Sequence, residues 1–126
     1  MDKRTVLLAE DNEMVRSFVR SVLERQGYRV LAAENGAEAL ALAKRVGLYG
    51  IDLILADVDM PLLSGIELVR RLKQLRPDLK ILYMTGQPAA HGNELWNDCA
   101  VIEKPFAYRT LVRGVDACLS ENRHYA

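Results

Sequence analysis

Apolar residues along this chain fall into two rhythms. Short, nearly unbroken apolar runs cover Thr5 to Ala9, Tyr28 to Ala32, Leu53 to Ala56, Lys80 to Met84 and the pair Val101-Ile102. Runs of this length bounded by polar or Gly/Pro residues predict five strands, and Leu53 to Ala56 reads as a strand buried on both faces of a parallel sheet. Between the runs the period lengthens to 3.6. Val15, Phe18, Val19, Val22 and Leu23 make one helical stripe; Ala39, Leu42, Ala43 and Val46 a second; Leu68, Leu72 and Leu75 a third; Tyr108, Leu111, Val112, Val115 and Leu119 a last one. Asn12, Asn35 with Glu38 three residues on, and Ser64 with Glu67 supply N-caps, the latter two with capping-box spacing. Gly27 ends the first helix, Gly47 and Gly50 follow the second, and Pro77 stops the third. Gly65 suits a positive-φ turn ahead of the third helix. From Gln87 to Cys99 the pattern weakens, and any helix there is short, from Asn93 to Asp98.

Strands alternating with helices predict an α/β fold, a doubly wound five-stranded parallel sheet covered on both faces. The flavodoxin-like order 2-1-3-4-5 suits this size, with the fourth helix short or disordered. A length of 126 residues fits one domain over 1–126. Lys plus Arg equals Asp plus Glu at 17 each, which gives no overall basic charge for nucleic acid or anionic membrane. No apolar run is long enough to span a bilayer, and Met1-Asp2-Lys3-Arg4 lacks a signal peptide's apolar segment, so the expectation is a cytoplasmic protein. Cys99 and Cys118 lack metal-type spacing and are expected as reduced, part-buried thiols; Trp96 is assigned to packing, and His91 and His124 to the surface.

The order 2-1-3-4-5 changes the meaning of the acidic residues. It makes the first and third strands neighbours at the point where open α/β sheets bind ligands, and their carboxyl ends carry Glu10, Asp11 and Asp57. Three close carboxylates repel one another unless they hold protons or a cation. All-oxygen ligands suit Mg²⁺ (or Mn²⁺). Thr85 ends the fourth strand and Lys104 follows the fifth. A carboxylate nucleophile, a metal, a hydroxyl and an ammonium together meet the needs of phosphoryl transfer. Taken singly, each residue has a plainer reading: Asp57 as a loop cap, Glu10-Asp11 as favourable charge at a helix N-terminus, Thr85 as a turn residue and Lys104 as a solvated charge.

Leu8-Ala9-Glu10-Asp11-Asn12, the Asp57-Val58-Asp59-Met60-Pro61 run with Gly65, Met84-Thr85-Gly86 and Lys104-Pro105-Phe106 occur in that order at strand ends. In these motifs nearly the whole chain resembles the receiver domain of two-component response regulators. The resemblance implies that Asp57 accepts a phosphoryl group from a histidine kinase or histidine phosphotransfer protein. It implies Mg²⁺ held by Glu10, Asp11, Asp57 and the backbone carbonyl of Asp59, with Thr85 and Lys104 contacting the phosphoryl oxygens. It also implies a cis Lys104-Pro105 bond, and Asp59 and Gln87 as residues that tune slow autodephosphorylation. On this reading the chain is a phosphoacceptor rather than an enzyme, either a stand-alone regulator or the receiver module of a hybrid sensor kinase. Its output partner is unidentified, and a weak homodimer is compatible with it. No DNA-binding domain follows the last helix, which argues against direct nucleic acid binding. Two features depart from the family pattern: Val101 stands where a switching Tyr or Phe is common, and Thr85 to Lys104 is short by about one helical turn. With Leu95 and Trp96 as its main apolar anchors, the region Gln87 to Asp98 is expected to be the mobile element. The competing class is a haloacid-dehalogenase-type phosphatase, since Asp57-Val58-Asp59 has the D-x-D spacing in which Asp57 would be nucleophile and Asp59 general acid.

Overall fold

The computed structural model describes residues 3–88 and 100–120. Strands β1 (Thr5–Ala9), β2 (Arg29–Ala33), β3 (Leu53–Asp57), β4 (Lys80–Thr85) and β5 (Ala100–Glu103) form one parallel sheet in the order β2-β1-β3-β4-β5. Helices α1 (Glu13–Arg25), α2 (Gly36–Val46), α3 (Gly65–Leu75) and α4 (Tyr108–Ser120) cover it, and a 3₁₀ turn, Leu48–Gly50, precedes β3. The expected order and all five strands are present, with β2 displaced by one residue from the expected run. The short helix expected from Asn93 to Asp98, with His91, Trp96 and Cys99, lies outside the described residues, as does His124.

Strand alternation sends successive side chains to opposite faces, and this divides the core in two. Val6, Leu8, Leu53, Leu55, Leu82 and Met84 pack under α1 and α4 with Val19, Leu23, Leu111 and Val115. Leu7, Ala9, Ile54, Ala56, Ile81 and Tyr83 pack on the other face under α2 and α3 with Ala39, Ala43, Leu68, Val69 and Leu72. Residues of β3 are buried throughout, as the unbroken run Leu53 to Ala56 requires.

Helix starts follow their caps. The side chains of Asn12, Asn35 and Ser64 accept from the backbone N–H of Val15, Glu38 and Glu67 at 3.0, 2.7 and 3.2 Å. The reciprocal half of the capping box differs. Glu38 reaches the N–H of Glu34, one residue before its cap, and Glu67 turns instead to Arg70 and Arg71. Several stripe edges also differ from expectation. Phe18, Val46, Leu75 and Tyr108 are exposed, while Val69 and Cys118 are buried in their neighbourhood. A 3.6 period fixes the direction of an apolar face but not how far along the helix it is covered: Val46, Leu75 and Tyr108 are terminal residues of their helices, and Phe18 alone lies at a lateral edge.

Gly65 corrects a further expectation. Its φ is not positive; the positive-φ residue ahead of α3 is Leu62, at 70°. Gly65 is required because a Cβ there would overlap the Asp57 carbonyl and stand 3.1 Å from the Val58 Cα. Among the described residues no helix is long and apolar enough to cross a membrane.

Candidate functional site

Strand register builds the site. Ala9 of β1 pairs with Ala56 of β3, so the next residue of each strand, Glu10 and Asp57, emerges side by side at the carboxyl edge of the sheet. Thr85 of β4 pairs with Glu103 of β5, and Lys104 follows directly, its N–H donating to the Thr85 carbonyl at 2.8 Å. The peptide bond from Lys104 to Pro105 is cis.

Glu10, Asp57 and Thr85 are buried, whereas Asp11 and Asp59 are exposed. One carboxylate oxygen from each of Glu10, Asp11 and Asp57 lies within 4.8 Å of the others. Lys104 bridges two of them, with Nζ at 2.6 Å from Glu10 Oε1 and 3.2 Å from Asp57 Oδ2. The Asp57 contact is a hydrogen bond, but Glu10 Oε1 has no well-directed hydrogen bond despite the short approach. That contact is electrostatic, and the buried oxygen keeps an unfilled acceptor direction. Glu10 Oε2 accepts from the N–H of Asn12, and the Arg16 guanidinium donates to the Glu10 carbonyl, so α1 holds this residue from both ends. Asp57 Oδ1 accepts from the Asp59 N–H at 3.1 Å. Thr85 Oγ1 accepts from the Gln87 N–H at 3.1 Å, so the hydroxyl proton remains available to another acceptor.

Charge and burial shift the titrations here. Asp57 is raised from 3.8 to about 7, first by desolvation and next by the Glu10 carboxylate, with Lys104 opposing. Burial alone would lower Lys104, but its pairing with Glu10 and Asp57 outweighs that and raises it. An all-oxygen donor set with an incompletely satisfied buried oxygen and excess negative charge fits a hard divalent cation, and Glu10, Asp11 and Asp57 are the side chains that could hold one.

All the predicted site residues, Glu10, Asp11, Asp57, Asp59, Thr85, Gln87 and Lys104, lie at this edge. Val101 is part-buried opposite Tyr83 on β4. Of the segment Gln87 to Asp98, only the first two residues are described. Residues that the sequence did not mark are Arg16, whose contact crosses from helix to strand end, and Gly36, which follows the cap Asn35.

An apolar groove adjoins the site. Met14, Val15, Phe18, Pro105 and Phe106 line it with the stem of Lys104, around a volume of about 430 Å³. The rings of Phe18 and Phe106 lie 6.5 Å apart along this groove, and Phe18 stays partly exposed there.

The family model of the response regulator receiver domain matches residues 6–116. The response regulator receiver protein CpdR of Brucella abortus is 39% identical over 119 residues, covering 92% of this chain and 97% of that protein. The sensor kinase CckA of the same organism is 33% identical over 120 residues, but this chain spans only 13% of its length. Among solved structures, the chemotaxis protein CheY4 of Vibrio cholerae superposes with a TM-score of 0.82 at 28% identity, covering 94% of this chain and all of that one. The receiver domain of the hybrid histidine kinase CckA gives 0.78 at 29% identity, covering 91% of this chain and 98% of that one.

Proposed function

This chain belongs to the response regulator receiver domain family and is a phosphoacceptor of two-component signalling, and from that premise we propose that Asp57 is the acceptor, served by Thr85, Lys104 and a Mg²⁺ ion. The observation that carries the reading is the convergence of Glu10, Asp11, Asp57 and Lys104 at one sheet edge.

A carboxylate oxygen of Asp57 attacks the phosphorus of a phosphohistidine. The new P–O bond forms as the P–N bond breaks, and the imidazole leaves with the bonding electron pair. Lys104 is placed to offset charge on the phosphoryl oxygens, and the Thr85 hydroxyl to donate to one of them. Glu10, Asp11, Asp57 and the Asp59 carbonyl would hold the cation, which supplies charge neutralisation between the acceptor and the incoming group. The exposed Asp59 and Gln87 flank the acceptor and set access for the water of slow autodephosphorylation. The partner on this reading is a histidine kinase or histidine phosphotransfer protein, met by this chain in the cytoplasm; stand-alone and hybrid-kinase settings share this chemistry. The haloacid-dehalogenase-type alternative is set aside by the family match, and Asp57-Val58-Asp59 ends the third strand of this sheet.

The test is labelling from a phosphohistidine-carrying donor, followed by mapping of the modified residue. The expected result is a single acyl phosphate at Asp57 that forms only with Mg²⁺. Label persisting in Asp57→Asn or in excess chelator would refute the assignment.

A further inference from the structure

Leucine in the left-handed region is strained, because its Cβ crowds the following carbonyl. Leu62 has φ 70°, yet its side chain is 82% exposed, so burial of that side chain does not compensate the strain. The restraint must come from the backbone around it. The Leu63 N–H donates to the Pro61 carbonyl at 2.8 Å, a three-residue γ-turn with Leu62 at its centre, and the Gly65 N–H donates to the Val58 carbonyl at 3.0 Å. The loop from Val58 to Ser64 is thus closed at its base and bent at its apex.

Two buried glycines press on this closed loop, each the first residue of its helix. A Cβ on Gly36 would lie 2.9 Å from the Leu63 Cβ and closer still to the Leu63 carbonyl oxygen. A Cβ on Gly65 would overlap the Asp57 carbonyl in the same way. Neither glycine has a positive φ, so what they contribute is the missing side chain. Inside the loop the Asp59 N–H holds Asp57 Oδ1, which ties the loop's shape to the acceptor carboxylate.

We infer that Gly36, Leu62 and Gly65 are positioning residues for the cation site: α2 and α3 clamp a strained turn, and the clamp fixes the Asp57 carboxylate and the Asp59 carbonyl. The inference rests on the cation reading given above. Strain held by surrounding packing next to a reactive group is the usual place for such outliers.

The experiment is calorimetric titration of the full chain with Mg²⁺ in wild type, Gly36→Ala, Leu62→Pro, Leu62→Asn and Gly50→Ala. Proline cannot adopt the observed φ, whereas asparagine tolerates it, and neither change removes a buried side chain. At Gly50 the nearest atom to a new Cβ is Val46 Cγ1 at 3.8 Å, so that variant controls for loss of a glycine. Gly36→Ala and Leu62→Pro are expected to weaken Mg²⁺ binding about tenfold or more, and the other two to leave it within about twofold. With phosphoramidate as donor, the two affected variants need more Mg²⁺ for half-maximal labelling but reach a near wild-type rate at saturation. A merely structural role would lower stability without moving that midpoint. Folded Leu62→Pro with wild-type Mg²⁺ affinity overturns the inference. Hydrogen exchange in the wild type decides the matter should both variants unfold: Leu63 and Gly65 amides are expected to be protected, and exchange at free-peptide rates would show that the loop is not clamped. Wild type that binds no Mg²⁺ would instead defeat the cation reading, while the exchange result would still report on the clamp.

Discussion

Replacing Asp57 by Asn should stabilise the metal-free protein at neutral pH. Asp57 titrates at about 7 instead of 3.8, because burial and Glu10 both oppose its ionisation. Between these values the folded state holds a proton that the unfolded state has released, so stability falls as pH rises through the window. Below about pH 4 both states are protonated and the penalty is absent; above about pH 7 both are ionised and it is fully present. A shift of roughly three units corresponds to a ceiling of about 4 kcal/mol. Exposed Asp11 and Asp59 let water screen the crevice, which brings the working figure down to about 2 kcal/mol. Asn keeps the shape without the charge, and Lys104 retains Glu10 at 2.6 Å. In chelator at pH 7.5 the variant should therefore be more stable by about 2 kcal/mol, or roughly 6–8 °C in melting temperature for a domain of this size. At pH 4 the advantage should largely vanish. Lys104 does not blur the comparison, since its raised pKa places its own loss of stabilisation above the ordinary lysine range. Urea melts of both proteins across pH 4 to 7.5 measure the difference directly. A variant less stable than wild type at pH 7.5, or a difference flat across that range, would refute the reasoning.

Lys104→Met should destabilise the metal-free fold by about 3–5 kcal/mol at pH 7.5, because it leaves Glu10 and Asp57 facing each other unpaired. The loss should shrink near pH 5, where one carboxyl regains a proton, and equal losses at both pH values in urea melts would contradict this. Asp11→Asn removes an exposed carboxylate of the proposed cation site, so thermal melts should show near wild-type stability without metal and a smaller Mg²⁺-induced rise. Arg76→Ala should cost about 2–3 kcal/mol by denaturant titration. Its guanidinium donates to the Leu48 and Ile51 carbonyls at 2.7 Å each and stacks over the Tyr49 ring.

Features decided within a few residues were legible in the sequence. Asn12, Asn35 and Ser64 cap because an oxygen three positions ahead of an N–H reaches it whatever the rest of the chain does. The Leu53 to Ala56 run could end only in a buried strand, and five such runs between helices restricted the topology enough to bring Glu10 beside Asp57. Tertiary structure decided what depends on distance across the fold. It left Val46, Leu75 and Tyr108 in solvent, each the terminal residue of its helix, and Phe18, at the lateral edge of its stripe. Moving the left-handed turn from Gly65 to Leu62 likewise required the approach of α2 and α3 to the same loop. Lys104 is tied to Glu10 as well as Asp57, and Asp57 is driven up in pKa, only because 93 residues of intervening chain return to one sheet edge. Sequence names the charged groups; the fold sets the separation and burial on which their energies depend.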